Sequence, residues 1–242
     1  MTDDHASMRY KRVVVKLSGE ALQGPSAFGL DAPTLERIAR DLAAAAEAGH
    51  QVAVVVGGGN FFRGIKGADK GIERARADSI GMLATVMNGL ALEQAVEMQG
   101  RQARCLSSIP MPALCESFSR RASLHHLNKG RVVIAAGGTG NPFFTTDTGA
   151  VLRAAELSAD AVLKATQVDG VYTADPKRDP NARRYDRLTH DEAIAQNLAV
   201  MDTAAFALAR ENRIPVIVFS IGDDGAIASV LAGRGRSTLV SP

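Results

Sequence analysis

The feature that most constrains the fold is a series of short, uninterrupted apolar runs rich in valine and isoleucine. A strand with one face in water alternates apolar and polar residues, whereas a continuous apolar run predicts a strand buried on both faces. Such strands are typical of a parallel sheet covered by helices. The runs predict strands over residues 12–17, 51–56, 131–136, 161–164 and 216–219.

Between these runs lie segments with the periodicity of amphipathic helices. In residues 32–48 one face carries Leu35, Ile38 and Leu42, and Gly49 follows as a stop signal. Further helices are predicted over residues 74–97, 147–157, 201–211 and 225–232. The alternation of strand and helix predicts β-α-β units with right-handed crossovers, so we expect an α/β, three-layer αβα sandwich with a mostly parallel central sheet.

The length of 242 residues suits one domain, because the chain shows no Pro/Ser linker, low-complexity tract or internal repeat. Residues 168–187 contain Pro176 and Pro180 among several Asp and Arg residues, which predicts a hairpin or extended excursion. This stretch is a soft boundary within a single domain spanning residues 1–242. We expect an N-terminal lobe of about residues 10–165 and a C-terminal lobe of about residues 166–242, each serving a different substrate.

Charge and hydropathy exclude several classes of function. Lys and Arg total 28 against 26 Asp and Glu, without a long block of one sign, so no broad footprint for nucleic acid is visible. The N-terminus lacks the apolar core of a signal peptide, and no apolar run approaches the length of about 18 residues that a membrane span needs. We therefore expect a cytoplasmic protein in which any anion site is local.

Three glycine-rich loops follow predicted strands, where open α/β sheets bind ligands. They are KLSGEAL at residues 16–22, VVVGGGNFFRG at 54–64 and AAGGTGNPFFTTDTG at 135–149. Glycine permits positive φ and lets phosphate oxygens approach backbone N–H groups, while a following helix adds its positive dipole end. The alternative is that each glycine only makes a tight strand-to-helix turn.

Two lysines favour the phosphate interpretation. Lys16 and Lys164 each lie at the end of an apolar strand, where an ammonium is poorly solvated unless it meets an anion. Two such cations beside amide-rich loops suit a transferring phosphoryl group, whose oxygens bear the charge that catalysis must stabilise. Asp147, which opens a predicted helix, either complements the helix N-terminus or holds the two lysines in place.

Several common catalytic patterns are missing from the chain. It has no GxxxxGK[ST], no complete GxGxxG, no HRD or DFG and no GxSxG. The five histidines and two cysteines form no metal-ligand spacing, so we predict no metal held by the protein. Positioning and electrostatics are the remaining means of catalysis.

Six segments of the sequence match the motifs of a known family. KLSGEAL, GGGNFFRG, GMLATVMNGLAL, GTGNPFFTTDT, KATQVDGVYTADP and VMDTAAFALAR together resemble bacterial uridylate kinases of the amino acid kinase superfamily, from about Tyr10 to Val240. The resemblance implies the amino acid kinase fold and ATP-dependent phosphorylation of UMP to UDP in pyrimidine nucleotide biosynthesis. It also implies that the N-terminal lobe mainly binds UMP and the C-terminal lobe mainly binds ATP.

The resemblance further implies roles for individual residues. The catalytic positions are Lys16, Arg63, Asp147 and Lys164. The ATP contacts are Lys16, Leu17, Ser18, Gly19, Gly59, Arg63, Thr166, Gln167, Tyr172 and Asp175. The UMP contacts are Gly58, Asp78, Thr139, Gly140, Asn141, Pro142, Phe143, Phe144, Thr145 and Thr146. Asp202 is also similar to a family position, and its role stays open between the site and a core or capping duty.

The chemistry and regulation of the family complete the expectation. The acceptor is an ionised phosphate, so no general base is needed, and Mg²⁺ is carried with ATP. Bacterial uridylate kinases are typically homohexamers activated by GTP and inhibited by UTP. The effector segment corresponds to Gly24, Pro25, Ser26, Ala27, Phe28 and Gly29. Pro25 and Ser26 make this segment a variant of its own.

Two alternatives stay open. One is another member of the superfamily, acting on a carboxylate or carbamate, against which Asp78 and GTGNPFFTT argue. The other is a non-catalytic nucleotide-binding storage or sensor protein on the same fold, against which Lys16, Arg63 and Asp147 argue.

Overall fold

The computed structural model describes residues 8–62, 71–176, 178–198 and 200–242. Within them, nine strands form one sheet in the order β4-β3-β5-β2-β1-β6-β8-β9-β7. The strands are β1 Arg12–Leu17, β2 Gln51–Val56, β3 Ala103–Ser107, β4 Glu116–Ser117, β5 Val132–Ala136, β6 Ala161–Thr166, β7 Arg187–Thr189, β8 Val216–Ser220 and β9 Ser237–Ser241. Neighbouring strands pair in parallel except β8 and β9, which confirms the mostly parallel sheet.

Helices cover both faces of this sheet, which confirms the three-layer αβα arrangement. They are α1 Ala32–Glu47, α2 Arg74–Met98, α3 Arg120–Asn128, α4 Thr146–Leu157, α5 His190–Ala195, α6 Thr203–Glu211 and α7 Ala226–Leu231, with a 3-10 helix at Gly19–Leu22. Apolar side chains of α1, α2 and α7 share one core cluster with one face of the central strands. Those of α3 to α6 share a second cluster with the opposite face. None of the described helices has the length and apolarity needed to cross a membrane.

The elements that the sequence analysis missed lie mainly at the edges of the sheet. Strands β3, β4, β7 and β9 were not predicted, and neither were helices α3 and α5. Strand β9 alternates partly buried and buried residues, and β4 has two exposed residues, so neither shows a continuous apolar run. The excursion predicted over residues 168–187 does fold back on itself, through an antiparallel bridge between Tyr172 and Arg184.

The strand order decides where a site can form. Strand β1 lies between β2 and β6, and the chain continues from β2 to one side of the sheet and reaches β6 on the other. This is the kind of switch point at which open α/β sheets leave a crevice beyond the carboxyl ends of the strands. The register places Lys16 directly beside Lys164 and beside Val55.

Candidate active site

The two strand-end lysines point to one face of the sheet for a simple geometric reason. Side chains along a strand alternate between faces, so Lys16 follows Val14 and Lys164 follows Val162 on the same side. Val14 and Val162 belong to the apolar cluster that also contains Val151 of α4. Both lysines are therefore the next residues after the buried valines on the face of the sheet that α4 covers. Their side chains lie where that helix begins.

There the lysines meet Asp147, in the first turn of α4. Lys164 Nζ donates a hydrogen bond to Asp147 Oδ2 at 2.5 Å. Lys16 Nζ lies 2.9 Å from Asp147 Oδ1 as an ion pair without hydrogen-bond alignment. Both ammonium groups are buried: Lys16 is 8% exposed and Lys164 is 7% exposed. Of the two roles considered for Asp147 from sequence, the structure supports the one in which its carboxylate holds both lysines.

Burial and charge together set the protonation of this cluster. Burial lowers the pKa of Lys164 to about 8, an effect that Asp147 opposes and Lys16 reinforces. Burial by itself would raise the pKa of Asp147, but the ammonium groups of Lys16 and Lys164 outweigh it and lower that pKa below its usual range. At neutral pH the carboxylate is ionised and Lys164 is mostly protonated. Within the trio of Lys16, Asp147 and Lys164 the ammonium groups outnumber the carboxylate, which suits an anionic ligand.

Asp202, whose role the sequence left open, caps α6 and clamps α4. Its Oδ1 accepts hydrogen bonds from Ala205 N at 2.9 Å and from Thr148 Oγ1 at 2.9 Å. Its Oδ2 accepts one from Thr145 Oγ1. Thr145 is itself the N-cap of α4 and accepts a hydrogen bond from Asp147 N at 3.0 Å. Asp202 therefore ties together the beginnings of two helices, one of which carries Asp147.

A cavity of about 130 Å³ lies among residues of the loop that follows β2, of α2 and of the third glycine loop with the start of α4. Of the residues predicted to contact UMP, it is lined by Gly58, Asp78, Thr139, Asn141, Phe144 and Thr146. Lining residues that the sequence analysis did not single out are Phe62, Gly81, Met82, Thr85 and Gly138. The structure thus brings together most of the predicted UMP contacts, although Gly58 and Thr146 are 88 residues apart in the chain.

The other four predicted UMP contacts are not among the residues that line this cavity. Thr145 serves as the helix cap described above, while Gly140 and Pro142 do not line the cavity. Phe143 is exposed, has a positive φ of 72°, and donates its backbone N–H to Asp78 Oδ2 at 2.9 Å. Arg74 Nε also reaches the Asp78 carboxylate, at 2.9 and 3.0 Å. The third glycine loop is therefore hydrogen-bonded to the first turns of α2.

The positive φ that glycine permits is used in the third glycine loop and not at the described glycines of the first two. Positive φ occurs in the third loop, at Gly137, Gly138 and Gly140, whereas Gly19 and Gly58 are not in that region. A Cβ on Gly19 would lie 2.5 Å from the Asn60 side chain, and one on Gly58 would lie 2.6 Å from a backbone oxygen of α2. These two glycines allow neighbouring segments to approach each other closely. Close approach is a third reason for glycine, in addition to a tight turn and a phosphate contact. A phosphate contact at these loops stays a prediction.

The residues predicted to contact ATP fall into separate groups. Ser18 caps the 3-10 helix, because its Oγ accepts a hydrogen bond from Ala21 N at 3.1 Å, and the Leu17 side chain is buried. Thr166 Oγ1 likewise closes a turn with the backbone of Val168. Beyond these residues lie two clefts of about 580 and 430 Å³.

Both clefts border the loop that follows β6. Gln167 lines the larger one together with Asp169 and Arg236. Tyr172 and Asp175 line the smaller one. Tyr172 OH donates a hydrogen bond to Asp169 Oδ1 at 2.5 Å, which raises the pKa of the tyrosine. Three of the predicted ATP contacts, Gln167, Tyr172 and Asp175, therefore line two neighbouring clefts beside one loop.

Two other predicted sites remain predictions. Arg63, assigned to catalysis and ATP contact, lies outside the described residues. The effector segment, residues 24–29, is a largely exposed loop between the 3-10 helix and α1. Its Phe28 is 67% exposed and contacts Phe61 edge to face, with ring centroids 5.5 Å apart. Gly29 N donates to Asn60 O at 3.0 Å, so the segment adjoins the second glycine loop.

Sequence reasoning missed polar residues that hold the loops from beneath. Asn88 of α2 donates to Gly57 O at 2.6 Å and exchanges two side-chain hydrogen bonds with Asn60. Thr85 Oγ1 accepts a hydrogen bond from Gly137 N at 2.7 Å. All three polar side chains are buried. The signal for them in the sequence is a polar residue on an otherwise apolar helix face.

The fold and the lysine cluster define a class of phosphotransferase, and comparison with known proteins identifies that class. A model of the amino acid kinase family matches residues 11–220, so the chain belongs to that family. Within the family its relatives are uridylate kinases. It is 64% identical over 233 residues to the uridylate kinase of Azorhizobium caulinodans, covering 96% of this chain and 98% of the relative. It is 59% identical over 232 residues to that of Nitrobacter winogradskyi, with the same coverage of 96% and 98%.

Solved structures agree with the sequence relatives. The UMP kinase of Bacillus anthracis superimposes with a TM-score of 0.92 at 40% identity, covering 96% of each chain. The UMP kinase of Ureaplasma parvum also superimposes with a TM-score of 0.92, at 38% identity, covering 97% of this chain and all of the other. The expected amino acid kinase fold and the membership of the uridylate kinases are thereby confirmed.

Proposed function

We propose that this chain transfers the γ-phosphoryl group of ATP to the phosphate of UMP, giving UDP and ADP, as a step of pyrimidine nucleotide biosynthesis. The observation that carries the proposal is the buried Lys16–Asp147–Lys164 cluster at the strand ends, close to a cavity lined by Asp78 and Thr139. The names of the relatives support UMP as the acceptor.

In the proposed reaction an oxygen of the UMP phosphate attacks the γ-phosphorus, and the bond from that phosphorus to the β–γ bridging oxygen breaks. The attacking oxygen is already ionised, so no residue has to remove a proton. Lys16 and Lys164 offset the negative charge that builds up as two phosphate groups converge. Asp147 keeps their ammonium groups together at the strand ends and so pre-orders them before substrate binds.

The donor would be ATP carrying Mg²⁺, and the ion would neutralise part of the charge on the phosphate oxygens. Among the described residues no group of three or more His, Cys, Asp or Glu is arranged to hold a metal. Asp147, the carboxylate nearest the proposed reaction, is engaged by both lysines. These contacts support treating the ion as part of the substrate.

The proposal places UMP in the N-terminal lobe and ATP in the C-terminal lobe. Asp78 faces the cavity with a carboxylate that Arg74 and Phe143 N orient, and it accepts a ribose hydroxyl. Residues 139–146 surround the acceptor nucleotide. ATP extends from the loop after β1 toward the two clefts beside residues 167–175. The family resemblance assigns Arg63 to the donor side.

Assembly, regulation and location complete the proposal. Association with other copies of the chain is supported by large apolar side chains exposed on α2, namely Leu83, Met87 and Met98, while the number of six subunits rests on the family resemblance. Activation by GTP through residues 24–29 is supported by the hydrogen bond from Gly29 to Asn60, next to the second glycine loop. Inhibition by UTP and a cytoplasmic location rest on the family resemblance.

The test is a coupled assay of ADP release with the purified chain, Mg²⁺ and ATP. The acceptors are UMP, CMP, dUMP, carbamate and acetylglutamate, each with and without GTP. We expect turnover with UMP well above that with the other acceptors, and stimulation by GTP. Turnover with carbamate or acetylglutamate but not UMP would overturn the proposal in favour of another activity of the family. Binding of UMP and ATP without any turnover would favour the storage or sensor alternative.

A further inference from the structure

Arg153, on α4, carries a buried charge that the proposed mechanism does not use. The residue is 4% exposed. Burying a guanidinium costs free energy unless its donors are paired, so the groups it contacts indicate what its burial achieves.

The guanidinium joins three segments of the chain. Nη2 donates to Gly138 O at 3.1 Å and to Ser108 Oγ at 2.8 Å. Nη1 donates to Glu156 Oε2 at 2.5 Å. The guanidinium carbon lies 3.9 Å from the ring centroid of Phe118, which is a cation–π contact. Nε finds no acceptor among the described residues. The planar fork of arginine makes these contacts simultaneously, which a lysine cannot do.

Gly138, whose carbonyl Arg153 holds, is where the proposed UMP segment begins. It lines the cavity with Thr139, and its φ is 57°, in the left-handed region that suits glycine. Because glycine has a wide range of backbone conformations, hydrogen bonds to its carbonyl help to select one of them. Those bonds come from Arg153 and from Ser108 Oγ, which donates to Gly138 O at 3.0 Å.

The same helix also holds the lysine cluster. Gly149, one turn before Arg153 on α4, lies against this loop, since a Cβ there would be 3.6 Å from the carbonyl carbon of Gly138. Asp147 is in the first turn of α4. One rigid helix therefore contacts both the lysines and the loop that lines the cavity.

We propose that Arg153 is a positioning residue for the reaction. It fixes the turn at Gly138 and Thr139 relative to Asp147, and so sets where UMP lies with respect to the phosphoryl group being transferred. The inference rests on the proposed function, because it assigns the acceptor nucleotide to this cavity. A substitution of Arg153 should therefore raise KM for UMP more than it raises KM for ATP.

The test compares variants of the full chain by steady-state kinetics, varying UMP and ATP in turn. Arg153→Met keeps the length of the side chain but removes the donors, and we expect KM for UMP to rise about tenfold while KM for ATP changes by about twofold or less. Arg153→Lys should give an intermediate rise. Glu156→Gln is the matched control, because it weakens the ion pair of Arg153 and leaves the contact with Gly138; KM for UMP should then stay within about twofold of wild type.

Thermal unfolding of each variant separates positioning from loss of stability. If Arg153→Met does not fold, Ser108→Ala serves in its place, since it removes the second donor to Gly138 O; we expect KM for UMP to rise about threefold. Equal changes in KM for both substrates, or a loss of activity that follows the melting temperature across the Glu156 and Arg153 variants, would overturn the inference. Unchanged UMP kinetics in Arg153→Met beside an active wild type refutes the inference alone. A wild type without UMP turnover refutes the proposed function as well.

Discussion

Replacing Asp147 with asparagine removes the one negative charge that holds Lys16 and Lys164 together at the strand ends. The carboxylate lies 2.5 Å from Lys164 Nζ and 2.9 Å from Lys16 Nζ. An amide of the same shape accepts a hydrogen bond but does not attract two ammonium groups. The lysines then repel each other without compensation and move from the positions in which they neutralise the transferring phosphoryl group.

The expected magnitude follows from the geometry. Loss of one pre-ordered electrostatic contact at a reacting group typically costs about 10²- to 10³-fold in kcat. We therefore expect Asp147→Asn to lower kcat by about 100-fold, equivalent to about 2.7 kcal/mol of transition-state stabilisation. The effect of a single contact varies with its surroundings, and we expect kcat to fall by at least about tenfold.

The pH profile gives an independent signature of the same contact. Lys164 has a pKa of about 8, so kcat/KM of the wild type should decline as pH rises through that value and the ammonium loses its proton. The Asp147 carboxylate opposes this lowering of the Lys164 pKa. In Asp147→Asn the pKa falls further, so the decline should begin at lower pH.

The control for this experiment is Asp160→Asn. Asp160 accepts hydrogen bonds from the backbone N–H groups of Lys11 and Arg12, at the opposite end of β1 from Lys16. The same chemical change there should leave kcat within about twofold of wild type. Both proteins should show folded-state circular dichroism. An Asp147→Asn variant with unchanged kcat and an unchanged alkaline limb would refute the role assigned to the carboxylate.

Three further predictions address the cavity, the loop support and stability. Asp78→Ala should raise KM for UMP about tenfold and leave KM for ATP within about twofold, and equal effects on the two would remove Asp78 from the UMP site. Asn88→Ala should lower the free energy of unfolding in urea by about 2 to 4 kcal/mol, because it leaves polar groups of Asn60 and Gly57 buried without partners; an unchanged midpoint would contradict this. Burial lowers the pKa of His190 below the unfolded value of 6.5, so the unfolded chain binds more protons in acid. The stability it contributes should be complete above about pH 6.5 and lost as the pH falls toward its folded pKa, and His190→Asn should show a flatter dependence in urea unfolding across that range.

The sequence alone determined the central strands of the sheet and the need of its two strand-end lysines for an anion. Strands β1, β2, β5, β6 and β8 were predicted to within two residues at either end, because burial on both faces leaves continuous apolar runs. A lysine at the end of such a buried run is poorly solvated unless its ammonium contacts an anion. The sequence therefore also indicated that both lysines meet an anion. Strand β9, one position from the edge of the sheet, buries only alternate residues, and local pattern does not distinguish such a strand from a loop.

Only the tertiary structure decided which residues hold the site together. Asp147 could complement its own helix or reach the lysines, and the choice depended on how α4 lies across β1 and β6. Asp202 and Arg153 act on groups more than a dozen residues away in the chain, so no local pattern marks them. Short-range preferences specify strands and helices, whereas a hydrogen bond between distant segments exists only once packing has fixed both ends.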